Sequence, residues 1–476
     1  MEHFIDGAWA ASSGAERIPV HNPATGVLLD SVPAGTAADA DRAVAAAARA
    51  FPAWKRLPMA RRVAIQKACA AAMRAHADEL AHTLTLELGR PLAGSRQEIE
   101  RSAELLDYYA EEGLRLRGEL PMVGEPDERV LVVKEPVGVV VAIAPFNYPV
   151  TLLTFKLGAA LVTGCTVVAK PAEDTPLTTL RLAKLFSAAG LPPGVFNVVT
   201  GTGAELGQAL VTHPTPRKVA FTGSSAAGKR IAALAASSTK RVTLEMGGQC
   251  PAILCDDADL EMAIPALVRH AFTNSGQFCY RVNRIYVQRT IYDTIVSRLA
   301  AGAERLAVGD GLKPATQLGP LVNEKIFRTS ERHVADTLAK GARVVCGGAR
   351  LTGGVYDGGF FFPPTVIADT DHRMAIMTEE TFGPVIGVMP VDDLEQAIDL
   401  ANDSPYGLAG YVFSRDTGRA LRAAEALEVG SVWVNNIHRS YHLVPFGGVK
   451  ESGIGREKSR YGLDEYLELK SIYLGL

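Results

Sequence analysis

Cys279 stands in "NSGQFCYRVN", the stretch from Asn274 to Asn283, between two aromatic residues in a polar, glycine-containing segment. A cysteine that only fills a core is poorly placed there, whereas a nucleophilic thiol has to be reachable and at least partly thiolate. Local polarity is all that separates it from Cys165 or Cys346, and a small buried filler is the commoner use of the residue. Asn147 sits between two prolines in "APFNYP", just after an apolar run. An amide at the end of a strand can donate to a developing oxyanion, or it can simply close a turn or cap a helix. Glu245 in "LEMGGQ" ends another apolar run beside two glycines. A carboxylate in a partly apolar site has a raised pKa and can serve as general base toward water. The bland alternative is a charged residue at a hinge, although paired glycines signal close backbone approach.

Other residues suit a dinucleotide. "FTGSSAAGKR" places Gly223 and Ser224 where a strand gives way to a helix, a small-residue turn that fits a pyrophosphate through backbone N–H groups and the helix dipole. It is neither a P-loop nor G-x-G-x-x-G. "GTGAELG", with Gly203 as its second glycine, imitates a dinucleotide fingerprint but ends one residue too late. In "VVAKPAEDTP", Lys170 and Glu173 follow a strand, where a lysine and a carboxylate can both bond ribose hydroxyls or can form a surface ion pair. A carboxylate there disfavours a 2'-phosphate, which leans toward NAD.

These residues need a frame that brings distant segments together. The first hundred or so residues read as mostly helical, from the alanine-rich "ADADRAVAAAARAFPAW" to "RQEIERSAELLDYYAEEGLRLRG". From Arg129 onward short β-rich runs such as "TVVAK", "VFNVVT", "KVAFTG" and "RVTLEM" alternate with amphipathic helices. That alternation predicts a doubly wound, Rossmann-like parallel sheet covered on both faces. After Gly247 and Gly248 it restarts, which predicts a second α/β domain with a boundary near residue 247. The closing "YLELKSIYLGL" alternates like an edge strand able to pair with a partner.

With 476 residues the chain holds more than one core, since single cores stop growing at roughly 250–300 residues. A net charge of −3 without a basic stripe argues against nucleic acid. The apolar stretch Pro136–Phe155 is broken by Pro145, Asn147 and Pro149, so a buried strand, turn and helix explain it better than a membrane span. The N-terminal stretch lacks the features of a secretory signal, which makes a cytoplasmic location the expectation. The cysteines are scattered and the histidines do not cluster, so reduced thiols and no metal are expected.

The segments "PFNYP", "KPAEDTP", "FTGSSAAG", "LEMGGQCP", "NSGQFC", "EETFGPV" and "PFGGVKESGIGRE", in this order, resemble the aldehyde dehydrogenase superfamily over essentially the whole chain. The resemblance implies that Cys279 is the nucleophile, Glu245 activates the hydrolytic water and Asn147 supplies an oxyanion donor beside the cysteine's backbone N–H. It implies that Lys170 and Glu173 hold the adenosine ribose, with Gly203, Gly223 and Ser224 along the cofactor. Glu380 then bonds the nicotinamide ribose and Phe382 packs by the nicotinamide. NAD is the implied acceptor, with NADP as the alternative. The implied pocket comprises Leu152, Phe155, Phe278, Tyr280 and the segment from Ile437 to Val444. Arg281, His438, Arg439 and His442 are either an anion pocket or solvated loop charges. Relatives acting on succinic semialdehyde typically carry arginines where this chain has Phe155 and Thr273.

By the same resemblance, residues 1–117 and 141–246 form an NAD-binding domain, 247–446 a catalytic domain, and 118–140 with 447–476 a small β oligomerisation element of a homodimer or homotetramer. The expected reaction is oxidation of a small aliphatic, aromatic or anionic aldehyde to its acid through a hydrolysed thioester. A CoA-acylating relative and a catalytically silent one are the alternatives.

Overall fold

The computed structural model describes residues 1–122, 125–436 and 441–475. Thirteen strands make up its frame. In chain order they are β1 (Glu128–Pro136), β2 (Val139–Ile143), β3 (Thr166–Lys170), β4 (Phe196–Val198), β5 (Lys218–Thr222), β6 (Arg241–Glu245), β7 (Cys250–Leu254), β8 (Val282–Gln288), β9 (Thr365–Ala368), β10 (Val385–Val391), β11 (Ala409–Phe413), β12 (Ser431–Val434) and β13 (Leu467–Gly475).

The first sheet runs β4-β3-β2-β5-β6, all parallel. Strands β2, β3 and β5 are buried along their whole length, as their unbroken valine and alanine runs require of a sheet covered on both faces. The chain winds outward from β2 to β4 and then returns to the other side of β2 at β5. This makes a topological switch point between the carboxyl ends of β2 and β5, where sheets of this kind open a crevice. Asn147 follows β2 and Gly223 follows β5, so the crevice is flanked by two of the segments expected to do chemistry.

The N-terminal region is mostly helical, as its pattern predicts, with four short strands that the pattern does not show. His3–Ile5 and Ala8–Ala10 add antiparallel strands beyond β4, and Arg17–His21 pairs with Leu28–Pro33. The first two have three residues each, too few for a periodicity to show in sequence. The helices behind them, Ala37–Arg56, Met59–Ala75, Ala77–Leu88 and Leu92–Gly113, lie where the pattern places them.

The second sheet runs β9-β10-β8-β7-β11-β12, all parallel, with Arg343–Cys346 antiparallel outside β9. One continuous apolar cluster spans both sheets, from Val140 and Val167 to Ala252 and Val287. Strands β1 and β13 pair in register over nine residues, Leu467 opposite Pro136 to Gly475 opposite Glu128. Gly453–Ile454, within the segment assigned to the oligomerisation element, instead adds an antiparallel strand to the first sheet beside β6. Among the described residues, no helix is long and apolar enough to cross a membrane.

Candidate active site

The carboxyl ends of the first sheet meet the amino ends of the second. Cys279 lies on the loop just before β8, Gly248 just before β7 and Glu380 shortly before β10. The cysteine loop is held in an unusual backbone: Asn274, Ser275 and Gly276 all have positive φ, at 52°, 55° and 75°. A Cβ on Gly276 would fall 2.3 Å from the Gly383 carbonyl oxygen, so only glycine fits this turn. Side chains overdetermine the rest. Asn274 Nδ2 donates to the Asn147 carbonyl at 3.1 Å, Ser275 Oγ to that of Gly319 at 2.7 Å, and Gln277 Oε1 accepts from Val322 N at 2.9 Å. The first of these bonds ties the Cys279 loop to the turn that carries Asn147.

That turn is braced from below. Arg90 pairs with Glu98 and lies 4.6 Å from the centre of the Tyr148 ring, while Glu98 Oε1 accepts from Val150 N and Thr151 N at 2.9 and 3.0 Å. A buried carboxylate therefore satisfies the amino end of the helix Pro149–Thr163 and fixes the chain where Asn147 leaves β2.

Cys279 and Asn147 line one cavity of about 780 Å³. Phe155, Phe278, Tyr280 and His442 line it too, as does Leu152. Its aromatic wall is continuous, with Phe278 5.0 Å from Tyr280 and Tyr280 5.4 Å from Phe446, ring centre to ring centre. Burial pushes the Cys279 thiol well above its ordinary range, and Cys250, Glu245 and Glu380 push it the same way, while its own backbone N–H opposes them. These effects favour the thiol over the thiolate.

Glu245 ends β6, almost fully buried, and neither carboxyl oxygen has a hydrogen-bond partner among the described residues. Burial raises its pKa far above the carboxylate range, and the neighbouring Glu457 adds to the rise. A Cβ on Gly447 would lie 2.6 Å from its Oε1, so that glycine makes the room the carboxyl occupies. Behind it is a network that sequence reasoning missed. Lys156 Nζ donates to Thr222 Oγ1 at 2.6 Å, to Glu457 Oε1 at 2.7 Å and to the Leu152 carbonyl at 3.1 Å. The Lys156 charge draws the Glu245 pKa back down, against burial and Glu457. The signal was present, for Lys156 is the only charge in "TLLTFKLGAALVTG".

On the crevice side, Glu173 Oε1 accepts from Lys170 Nζ at 3.2 Å and from Gly203 N at 2.9 Å. Lys170 is buried, which lowers its pKa, and Glu173 is half exposed, so the pair faces the crevice from the end of β3. Ser224 is the N-cap of the helix Ser225–Ala236 and accepts from Ala227 N at 3.4 Å, and Gly223 N donates to the Glu245 carbonyl at 3.0 Å. No atom comes within 4 Å of a Cβ built on Gly203, which leaves open space for a bound group. The residues present fit a dinucleotide laid across the switch point. Glu380 accepts from Gly248 N at 2.9 Å, and burial lifts its pKa to about 7. Phe382 adopts a φ of 56° and packs edge-on to Phe146 at 5.7 Å.

Arg281, expected on the pocket wall, needs correction. Its side chain is fully buried and donates to the carbonyls of Val385 at 2.9 Å and of Ala271 and Val282 at 3.4 Å. It acts instead on Glu380, whose carboxylate its charge favours. Adjacency to Cys279 misled because the chain turns into β8 at the next residue. His438 and Arg439 lie outside the described residues. Among those described, no group of three or more His, Cys, Asp or Glu side chains forms a metal site.

A cysteine and an amide on one cavity, and a buried carboxyl with no hydrogen-bond partner among the described residues, lie beside a crevice that fits a dinucleotide. The family model for the aldehyde dehydrogenase family matches residues 9–472. The chain belongs to the aldehyde dehydrogenase family. It is 43% identical to the succinate-semialdehyde dehydrogenase [NADP(+)] GabD of Escherichia coli, over 100% of this chain and 98% of that protein. It is equally 43% identical to the 3-sulfolactaldehyde dehydrogenase of Pseudomonas putida, over 100% and 97%. Among solved structures, the betaine aldehyde dehydrogenase of Staphylococcus aureus in complex with NAD+ superposes with a TM-score of 0.97 at 38% identity, over 100% of this chain and 94% of that one. This aldehyde dehydrogenase oxidises an aldehyde to its carboxylic acid with NAD or NADP as hydride acceptor.

Proposed function

We propose that Cys279 is the nucleophile, Asn147 the oxyanion donor and Glu245 the base of a hydrolytic aldehyde dehydrogenase. The observation that carries this reading is Glu245: a buried carboxyl with no partner of its own among the described residues, close enough to the thiol to raise its pKa. The Cys279 thiol gives its proton to solvent water, and the sulfur adds to the aldehyde carbon. The carbonyl oxygen becomes an oxyanion that accepts from the Asn147 amide and the Cys279 backbone N–H, donors worth about 3–4 kcal/mol each in related sites. The bound nicotinamide supplies the hydride acceptor. A thioester on Cys279 remains, and Glu245 takes a proton from water as its oxygen attacks the acyl carbon, so that the C–S bond breaks and the acid departs.

Lys170, Glu173, Gly203, Gly223 and Ser224 hold the adenosine and pyrophosphate, and Glu380 and Phe382 the nicotinamide end. The Glu173 carboxylate favours a free 2'-hydroxyl and therefore NAD over NADP. For the substrate, two of the named relatives, the succinate-semialdehyde and 3-sulfolactaldehyde dehydrogenases, act on aldehydes that carry a second, acidic group, and the cavity wall contains Arg101, Arg269 and Lys458. An aldehyde with a terminal acid is the class we assign.

The test is NADH formation over a panel of neutral and acidic aldehydes, with NAD or NADP, with and without coenzyme A. Reduction of NAD without coenzyme A is expected. No reduction by any aldehyde would sink the enzyme reading, and strict dependence on coenzyme A would replace hydrolysis by acyl transfer.

The ribbon of β1 and β13 exposes Leu469, Tyr473 and Leu474, and we assign it to contact between subunits of a dimer or a dimer of dimers. The assigned domains are 1–117 with 141–246, 247–446, and the ribbon segments 118–140 with 447–476. A sedimentation coefficient that stays monomeric at micromolar concentration would refute the contact. The six free thiols suit a reducing cytoplasm, which cell fractionation tests.

A further inference from the structure

Lys458 occupies a backbone that lysine seldom adopts. Its φ and ψ are 61° and 176°, a region populated almost only by glycine, and Ser459 follows with φ of 52°. Such a conformation persists only where the surroundings enforce it, and here they do. Glu457 and Phe446 exchange backbone hydrogen bonds at 2.8 Å, Ser459 N donates to the His442 carbonyl at 2.9 Å, and the Lys458 carbonyl accepts from Gly462 N at 2.8 Å. A glycine at 458 would relieve the strain, so the side chain is retained against a cost.

That side chain is almost fully buried and points into the cavity that holds Cys279. Its ammonium lies 5.6 Å from the centre of the Phe446 ring and 5.9 Å from that of Phe155. Arg101 lines the same cavity and makes no ion pair among the described residues, whereas Arg90 is neutralised by Glu98. Burial and Arg101 bring the Lys458 pKa down to about 8, with Glu457 and Glu245 opposing them. The cavity wall thus sets Arg101, Arg269 and Lys458 against Glu104, with Lys458 held by strained backbone beside an aromatic lining that suits a short carbon chain.

We propose that Lys458 is the specificity-determining residue of the pocket, receiving the terminal acid group of the aldehyde on its ammonium with Arg101 as the second cation. This rests on the assigned substrate class. It places acid recognition on the strap 457–459, one residue from the Glu457 that anchors Lys156.

The test compares kcat/KM for succinate semialdehyde and for neutral pentanal in wild type, Lys458→Met, Lys458→Gly and Lys458→Arg. A charge-assisted hydrogen bond predicts that the acidic-to-neutral ratio falls about 10- to 100-fold in Lys458→Met and Lys458→Gly, mainly through KM, with partial retention in Lys458→Arg. Lys458→Gly should be at least as thermostable as wild type. Inhibition by succinate, which cannot react, should weaken by a similar factor. The proposal is overturned if the ratio stays within about threefold of wild type in both neutral variants, or if both substrates lose kcat equally, which would assign Lys458 to the base instead. Wild type that oxidises pentanal as well as succinate semialdehyde would refute the acid site while leaving the dehydrogenase intact. Failure with every aldehyde would remove the reading beneath it.

Discussion

Replacing Glu245 by glutamine separates the two halves of the reaction. The carboxyl makes no hydrogen bond among the described residues and is held in a desolvated site, so an amide of the same volume removes a group whose charged form is disfavoured there and breaks no contact. Folding should not suffer, and the thermal midpoint should stay level or rise. Thiol attack and hydride transfer do not draw on Glu245 as base, so the first turnover should proceed and the thioester should accumulate. General-base catalysis is commonly worth 10²- to 10⁴-fold, about 3–5.5 kcal/mol, and steady turnover should fall by that factor. Glu457 cannot substitute, because Lys156 engages it. Rapid mixing with NAD and excess aldehyde should show a burst of one NADH per active site followed by a slow phase, and mass spectrometry should find the acyl group on Cys279. Unchanged steady turnover would refute the role of base. Loss of the burst along with the steady rate would place Glu245 before hydride transfer and overturn the order of steps.

Lys156→Met removes the charge that draws the Glu245 pKa down. The pKa then rises further, the basic form appears only at higher pH, and the acid limb of the kcat profile should move to the alkaline side with lower turnover at neutrality. Glu457 is left buried without its cation, which should cost about 3–5 kcal/mol in chemical denaturation; an unshifted profile would detach the network from the base. Gly276→Ala places a Cβ 2.3 Å from the Gly383 carbonyl oxygen at a positive φ. It should displace the nucleophile loop and slow thiol alkylation and turnover together, and retention of both would show that the turn tolerates a side chain.

Parallel strands announce themselves, because full burial on both faces leaves runs such as "VVVAI" and "TVVAK" with nothing polar to interrupt them. Cys279, Asn147 and Glu245 stand out less by their local sequence than by the order of the segments that carry them, and the structure brings Cys279 and Asn147 to one cavity. What did not show was anything depending on partners far away in the chain. Nothing near Glu457 and Lys458 in the chain marks them, because Glu457 is engaged by Lys156 and Lys458 packs against Phe155 and Phe446. Arg281 illustrates the opposite error, since closeness along the chain says nothing about which side of an incoming strand a residue faces. The short N-terminal strands were missed because three residues carry too little periodicity to betray a pairing made with Val198.

The strand Gly453–Ile454 beside β6 has a bearing on biosynthesis. Leu244 and Glu245 pair with Ile454 and Gly453, and Lys156 reaches the Glu457 carboxylate across 301 residues of chain. On the ribosome the sheet that carries Glu245 can form long before this final strap has been translated. During that interval Glu245 lacks the residues that enclose it, and the thiol loop lacks its far wall at Phe446. A chain cut short before residue 453 would carry Cys279, Asn147 and Glu245 without the strand that pairs with Leu244 and Glu245 and without the carboxylate that Lys156 reaches.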